Sequence, residues 1–475
     1  MALARQLERR EGHTVTIVNT PLNIQRLKSS LPSKTNIKLA EIPFNGNHYG
    51  LPLGAENTDT LSNEFIIRLL EASENLESPF KSLLIDITKR DGHAPACIIT
   101  DMFLGWTVKV AKELGVYHTV FIPGAGYSMA IYFSISLNIY QCQTNDDEFS
   151  LLDFPEASKI KQSRLGNDLK FANGMDSWFL FRMRQFLLCL CSDAILLNTI
   201  EGLGDTGLKY FSRKMGGKPV WMIGPACSSM NKDGYNQEEK GEKHFSKTDS
   251  YCEWLDLHPP ASVLYVSFGS QNTILPSQMM NLALGLEASN KAFICVIRPP
   301  IGFSPAEEFR AEWLPDGFEG RIRENNQGLL VHKWAPQEEI LSHKSTGAFL
   351  SHCGWNSVLE SLSQGIPIIG WPLAGEQCFN SQMLENEVGV CIEVAQEIES
   401  ATIKHDEIAR VIEKVLGKTE KGEEMRRKAC QIKEKMEDAL REGGFEGSSI
   451  KAINDFLGTA TSTKKRPLPQ NLPPP

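Results

Sequence analysis

The sequence predicts an α/β protein made of two doubly wound, Rossmann-like domains that face one another across a cleft. Three observations carry that expectation. Short apolar runs alternate with helix-period segments in both halves, the pattern of parallel β/α units. A polar, charged stretch without apolar period, 228–250, separates the halves and reads as a linker. The 475 residues exceed one usual domain of about 100–200 residues and leave room for two full cores.

The elements follow in chain order. TVTIVNT (14–20), ACIITD (96–101), TVFIP (119–123), AILLNT (194–199) and VWMIGP read as strands of the N-terminal half. The longest uncharged run, Thr119 to Tyr140, nears membrane-spanning length, yet Pro123, Gly124 and Gly126 interrupt it. A buried strand, turn and helix are expected there, with no stable membrane insertion. In the C-terminal half the expected strands are SVLYVSF (262–268), KAFICVI (291–297), GLLVHKW (328–334), GAFLSH (347–352), PIIGW (367–371) and VCIEV (390–394). PSQMMNLALGLEAS opens with Pro at a helix start and WNSVLESLSQG closes on a Gly stop, which marks both as crossover helices. Three helical segments end the chain, the last being SSIKAINDFL. The expected division is an N-terminal domain over 1–240, the linker over 228–250, a C-terminal domain over 251–458, and a disordered tail over 459–475 with five prolines in its last nine positions.

Composition narrows the function. Forty-nine basic against 58 acidic side chains give a net charge of −9, so nothing gathers polyanions and nucleic acid is not an expected partner. Eleven cysteines, an odd number without a CxxC, fit reduced thiols and a cytoplasmic location. No Asn-x-Ser/Thr sequon occurs, and the opening residues carry Arg and Glu where a signal peptide is apolar.

Gly202, Gly204 and Gly207 form GxGxxG after the strand AILLNT, but the next strand, VWMIGP, offers no acid to hold a ribose, so a dinucleotide is not expected. No GxxxxGK[ST], HExxH or Asp-x-Asp is present, and no metal is expected.

The informative segment runs from Trp334 to Gln377. At the end of GAFLSH, His352 is followed by Cys353, Gly354, Trp355, Asn356 and Ser357, and a helix opens at once. Such a turn aims free N–H groups and the positive end of a helix dipole at one point, and Gly354 lets the backbone come close. A phosphate suits that point. His352, Asn356 and Ser357 would add hydrogen bonds, and Glu360, one turn on, would accept from the two hydroxyls of a ribose.

These 44 residues resemble the signature box of plant family-1 UDP-dependent glycosyltransferases, the secondary-product glucosyltransferases. The resemblance extends to CEWLDLHPPASVLYVSFGS (252–270) and, more loosely, to ACIITD, AILLNT, IGP and SSIKAINDFL. It implies a GT-B fold, with an acceptor-binding N-terminal domain and a UDP-sugar-binding C-terminal domain. It further implies that Trp334 stacks on uracil, that Ala335 and Gln337 bond the base edge or ribose, and that Glu360 holds the ribose. Ser270, His352, Asn356 and Ser357 would grip the diphosphate; Glu376 and Gln377 would bond sugar hydroxyls, with Trp355 beside them. Position 376 is usually Asp in that family, so Glu376 departs from it, and Gln377 is the glucose-preferring form. UDP-glucose is then a co-substrate rather than a cofactor, the other partner is a small hydroxylated acceptor, and the protein is expected to be a monomer.

The implied reaction is inverting and metal-independent: a base deprotonates the acceptor hydroxyl as it attacks the anomeric carbon and UDP leaves. In relatives the base is a His on the turn after the first strand, oriented by an Asp that Asp101 matches. The His has no counterpart, because LARQLERREGH looks like the helix after that turn, and His13 lies at its far end. The first strand and base are therefore expected to be missing from the sequence as it stands. Two alternatives accompany the main reading, a UDP-sugar-binding pseudoenzyme and a nucleotide-sugar isomerase.

Overall fold

Residues that are apolar without interruption are buried on both faces when helices cover both sides of a parallel sheet, and that is how this chain folds. The computed structural model describes residues 1–10, 12–32, 34–59, 61–142, 144, 146–227, 245–304, 307–332, 334–394 and 403–463. The N-terminal half carries β1 (Thr16–Asn19), β2 (Lys38–Glu41), β3 (Cys97–Asp101), β4 (Tyr117–Ile122), the two-residue strands β5 (Glu148–Phe149) and β6 (Ile160–Lys161), β7 (Ala194–Leu197) and β8 (Val220–Met222). Its main sheet is parallel in the order β3-β4-β7-β8, and β1 and β2 form a separate parallel pair.

The C-terminal half carries β9 (Val263–Ser267), β10 (Ala292–Val296), β11 (Gly328–Val331), β12 (Thr346–Ser351), β13 (Ile368–Gly370) and β14 (Cys391–Glu393). All six pair in parallel, in the order β11-β10-β9-β12-β13-β14. The strand order reverses between β9 and β12, where a doubly wound sheet opens a crevice at its carboxyl edge. Every residue of β9 and β12 is buried. The run from Thr119 to Tyr140 becomes β4 and the buried helix Gly126–Leu137, as expected, and no helix among the described residues is long and apolar enough to cross a membrane.

Three boundaries shift. The linker expected over 228–250 already contains the start of a helix, Phe245–Asp256; residues 228–244 lie outside the described residues. The tail expected from 459 begins later, because the helix Ser448–Thr463 carries on with Ala460 fully buried; residues 464–475 lie outside the described residues. That helix also leaves the C-terminal domain to which it was allotted. Ile453, Phe456 and Ala460 pack with Tyr117, Leu196 and Ile223 of the N-terminal sheet, and the Ser449 hydroxyl donates to the Gly224 carbonyl. Burying those apolar side chains outweighs sequence proximity. Of the glycines at 202, 204 and 207, Gly207 has a packing role. A Cβ at Gly207 would stand 2.1 Å from the Gly126 carbonyl carbon, so the glycine lets the helix Asp205–Lys214 cross the helix Gly126–Leu137 closely.

Candidate donor site at the strand switch point

The loops leaving β9 and β12 meet at the switch point, and glycine makes the meeting possible. His352 is buried with its ring between two glycines: a Cβ on Gly269 would come within 2.7 Å of its Cε1 and Nε2, and one on Gly354 within 2.4 Å of Nε2. Its Nδ1 is buried and without a hydrogen-bond partner. Burial, with the charge of Arg298 adding to it, lowers the imidazole to about 4, so the ring is neutral at physiological pH. Cys353 then takes a left-handed conformation, φ 60°, which a non-glycine residue adopts at a cost. Two side chains hold it there: Ser351 Oγ accepts from the Cys353 N–H at 3.1 Å, and Asn380 Nδ2 donates to the Cys353 carbonyl at 2.9 Å. The turn points the chain into the helix Trp355–Ser363, whose N-cap, Gly354, supplies no capping side chain. Its first N–H groups are left for an anion.

Arg298, which follows β10, completes this corner and was not singled out from the sequence. Its guanidinium donates to the carbonyls of Gly269, Ser270 and, at 2.8 Å, Asn272, and so pins the loop after β9. No carboxylate pairs with it among the described residues, and burial lowers its pKa from the usual value. A first charged residue ending the apolar strand KAFICVI was the available signal. Ser270 and Asn356 are exposed beside it.

Beyond the phosphate corner, Trp334 leaves β11 with 66% of its surface exposed, next to the buried Ala335. Gln337, the first residue of the helix Gln337–Ser342, donates from Nε2 to Ser357 Oγ at 3.0 Å and to Glu360 Oε2 at 2.6 Å, and accepts from the Tyr265 hydroxyl at 3.4 Å. Gln337, Ser357 and Glu360 are thus one hydrogen-bonded group. Burial raises the Glu360 carboxyl to about 7; Glu338 adds to the shift and the bond from Gln337 opposes it.

At the other end, Glu376 stands at the N-cap position of the helix Gln377–Met383, without a capping hydrogen bond from its side chain. Its carboxyl is raised by burial first and then by the charge of Asp168, against a bond from its own backbone. Gln377 differs from expectation in one respect. Its Oε1 accepts from the N–H groups of Leu373 and Ala374, both at 2.9 Å, so the carbonyl end of the side chain closes its own loop. Trp355 is 3% exposed and its Nε1–H donates to the Asn198 carbonyl at 2.6 Å, which places the indole in the contact between halves, in one apolar cluster with Phe379.

Asn198 follows β7, so that bond joins the carboxyl edges of the two sheets. Asp101 ends β3 on the same edge, where its Oδ1 accepts from the Phe103 N–H at 2.8 Å and burial raises its carboxyl to about 6. No histidine hydrogen-bonds to Asp101 among the described residues. No group of three or more His, Cys, Asp or Glu is placed to hold a metal among the described residues.

The profile of the family described as "UDP-glucoronosyl and UDP-glucosyl transferase" matches residues 255–428, which contain the whole of this corner. UDP-glycosyltransferase 92A1 of Arabidopsis thaliana is 43% identical over 98% of this chain and 94% of its own length. Crocetin glucosyltransferase 3 of Crocus sativus is 37% identical, covering 96% of this chain and 95% of its own. Among solved structures, UGT2 of Phytolacca americana complexed with UDP-2fluoro-glucose and pterostilbene superposes with a TM-score of 0.76 at 25% identity, over 96% of this chain and 94% of that one.

Proposed function

This chain belongs to the plant family of UDP-dependent glycosyltransferases, and from that premise we propose that it moves glucose from UDP-glucose to a hydroxyl of a small acceptor, with inversion and without a metal. The fold is GT-B, and the co-substrate is a UDP-sugar. The observation that carries the finer reading is the switch-point corner, where Gly269, Gly354 and the uncapped helix surround the neutral ring of His352 above Arg298. In this reading Ser270, His352, Asn356 and Ser357 bind the diphosphate. Arg298 and the helix N-terminus supply the positive charge that lets UDP depart, which is the service a metal renders elsewhere. Trp334 stacks on uracil, the Ala335 backbone and Gln337 meet the base edge or ribose, and Glu360 accepts from the ribose hydroxyls. Glu376 and the amide of Gln377 meet the sugar. Asp101 is the acid that would orient a proton-accepting base, although no histidine hydrogen-bonds to it among the described residues, and direct attack on the face opposite the leaving UDP inverts the anomeric centre.

Support for glucose comes from Gln377 and from similarity to a glucosyltransferase and to an enzyme bound to a fluoroglucose nucleotide. The decisive experiment is calorimetry with UDP. Trp334→Ala should weaken binding by about 1–3 kcal/mol if the indole stacks on the base. His352→Ala should weaken it by about 1 kcal/mol through the lost phosphate hydrogen bond. Unchanged affinity in both variants would remove the assignment.

A further inference from the structure

A buried ion pair outside the donor corner, Arg164–Glu393, crosses the seam between the halves next to the sugar end. The turn Gln162–Arg164 of the N-terminal half sends Arg164 into that seam. Its Nη1 donates to Glu393 Oε1 at 2.7 Å and its Nη2 to Oε2 at 2.6 Å, a two-pronged pair whose side chains are 7% and 0% exposed. Glu393 ends β14 and also accepts from the Ser381 hydroxyl, while Arg164 Nη1 reaches the Cys378 carbonyl at 3.4 Å. Ser381 and Cys378 both lie in the helix that Gln377 opens. Four residues beyond Arg164, Asp168 is held by Arg182 at 2.6 Å and by the Tyr132 hydroxyl at 3.0 Å, near enough to Glu376 for its charge to act there. The segment 162–168 therefore abuts the sugar end from the opposite half.

We propose that Arg164 is a positioning residue for donor-sugar recognition: its fork on Glu393 fixes the helix Gln377–Met383, and with it the amide of Gln377, from the acceptor-side half of the molecule. The proposal rests on the reading that Glu376 and Gln377 meet the sugar. A geometry so held acts on the sugar before the nucleotide, because the uracil and phosphate groups hang from β9, β10, β11 and β12, and the helix Gln377–Met383 reaches them through Asn380, whose Nδ2 donates to the Cys353 carbonyl.

The test compares the dissociation constants of UDP and UDP-glucose in the full chain. Arg164→Met with Glu393→Met removes both buried charges together, a replacement that folds tolerate better than one unpaired ion. Arg164→Lys keeps a charge and loses the fork, and serves if the double variant does not unfold cooperatively. The double variant should bind UDP within about twofold of the original and UDP-glucose about five- to tenfold more weakly, with the Lys variant in between. Parallel weakening of both ligands would reduce Arg164 to a structural residue and overturn the proposal, as would a folded variant in which neither changes. Gln377→Ala, measured alongside, separates the two levels: if it spares UDP-glucose binding, the reading of the sugar end fails and takes this proposal with it. If it weakens UDP-glucose while the Arg164 variants do not, only the proposal fails.

Discussion

Glu360 shows how a single residue's surroundings set a measurable pH dependence. Burial lifts its carboxyl from 4.5 to about 7, so near neutrality the group is divided between acid and carboxylate. A carboxylate accepts hydrogen bonds from ribose hydroxyls more strongly than the neutral acid does. Affinity for UDP-glucose, whose diphosphate diester has no group titrating near neutrality, should therefore rise about tenfold from about pH 6 to about pH 8. Glu360→Gln should flatten that profile, and calorimetry at several pH values checks both; a flat profile in the original chain would count against the role. Folding runs the other way. Because the folded carboxyl is harder to ionise than the unfolded one, this group lowers stability as pH rises from 4.5 through about 7. The sequence placed Glu360 one turn behind the strand-to-helix turn at His352, but its hydrogen bond to Gln337, 23 residues away, belongs to the tertiary structure.

At the scale of elements, apolar runs were legible even where the strand is short, as at β8, β13 and β14, and strands without such a run were not. β9 and β10 follow runs of five residues that are almost wholly apolar, whereas β2 is KLAE, with charge at both ends, and β5 and β6 have two residues each, too few to show a period. The GxGxxG spacing was equally visible, yet only the crossing of two helices explains Gly207. Gly207→Ala puts a methyl group 2.1 Å from the Gly126 backbone. It should force the helices Asp205–Lys214 and Gly126–Leu137 apart at a cost of about 1–3 kcal/mol, measurable by denaturant unfolding. An unaltered midpoint would show that the helices have room that the backbone positions deny.

The whole molecule is joined more firmly than two domains on a linker. One apolar cluster runs from Tyr127 and Phe133 in the N-terminal half to Phe379, Met383 and Met436 in the other, and the last helix returns to the first sheet. Phe456, buried against Trp221 at a ring separation of 5.7 Å, is the anchor of that return. Phe456→Ala should cost about 3–5 kcal/mol of stability and leave UDP affinity intact, since the lost contacts lie against the N-terminal sheet. Thermal unfolding and calorimetry on the same sample would show the two effects apart; loss of both together would mean that the sheets do not hold the donor corner independently. What the amino-acid order determined by itself was local. It set the strands, the crossover helices, the strand-to-helix turn at His352 and the 44-residue box, because periodicity and turn chemistry act over a few residues. What only the tertiary structure decided were the pairings of Trp355 with Asn198 across 157 positions and of Arg164 with Glu393 across 229, and the return of the last helix. Those depend on which buried polar groups and apolar faces find partners once both sheets have formed, and no local pattern encodes that choice.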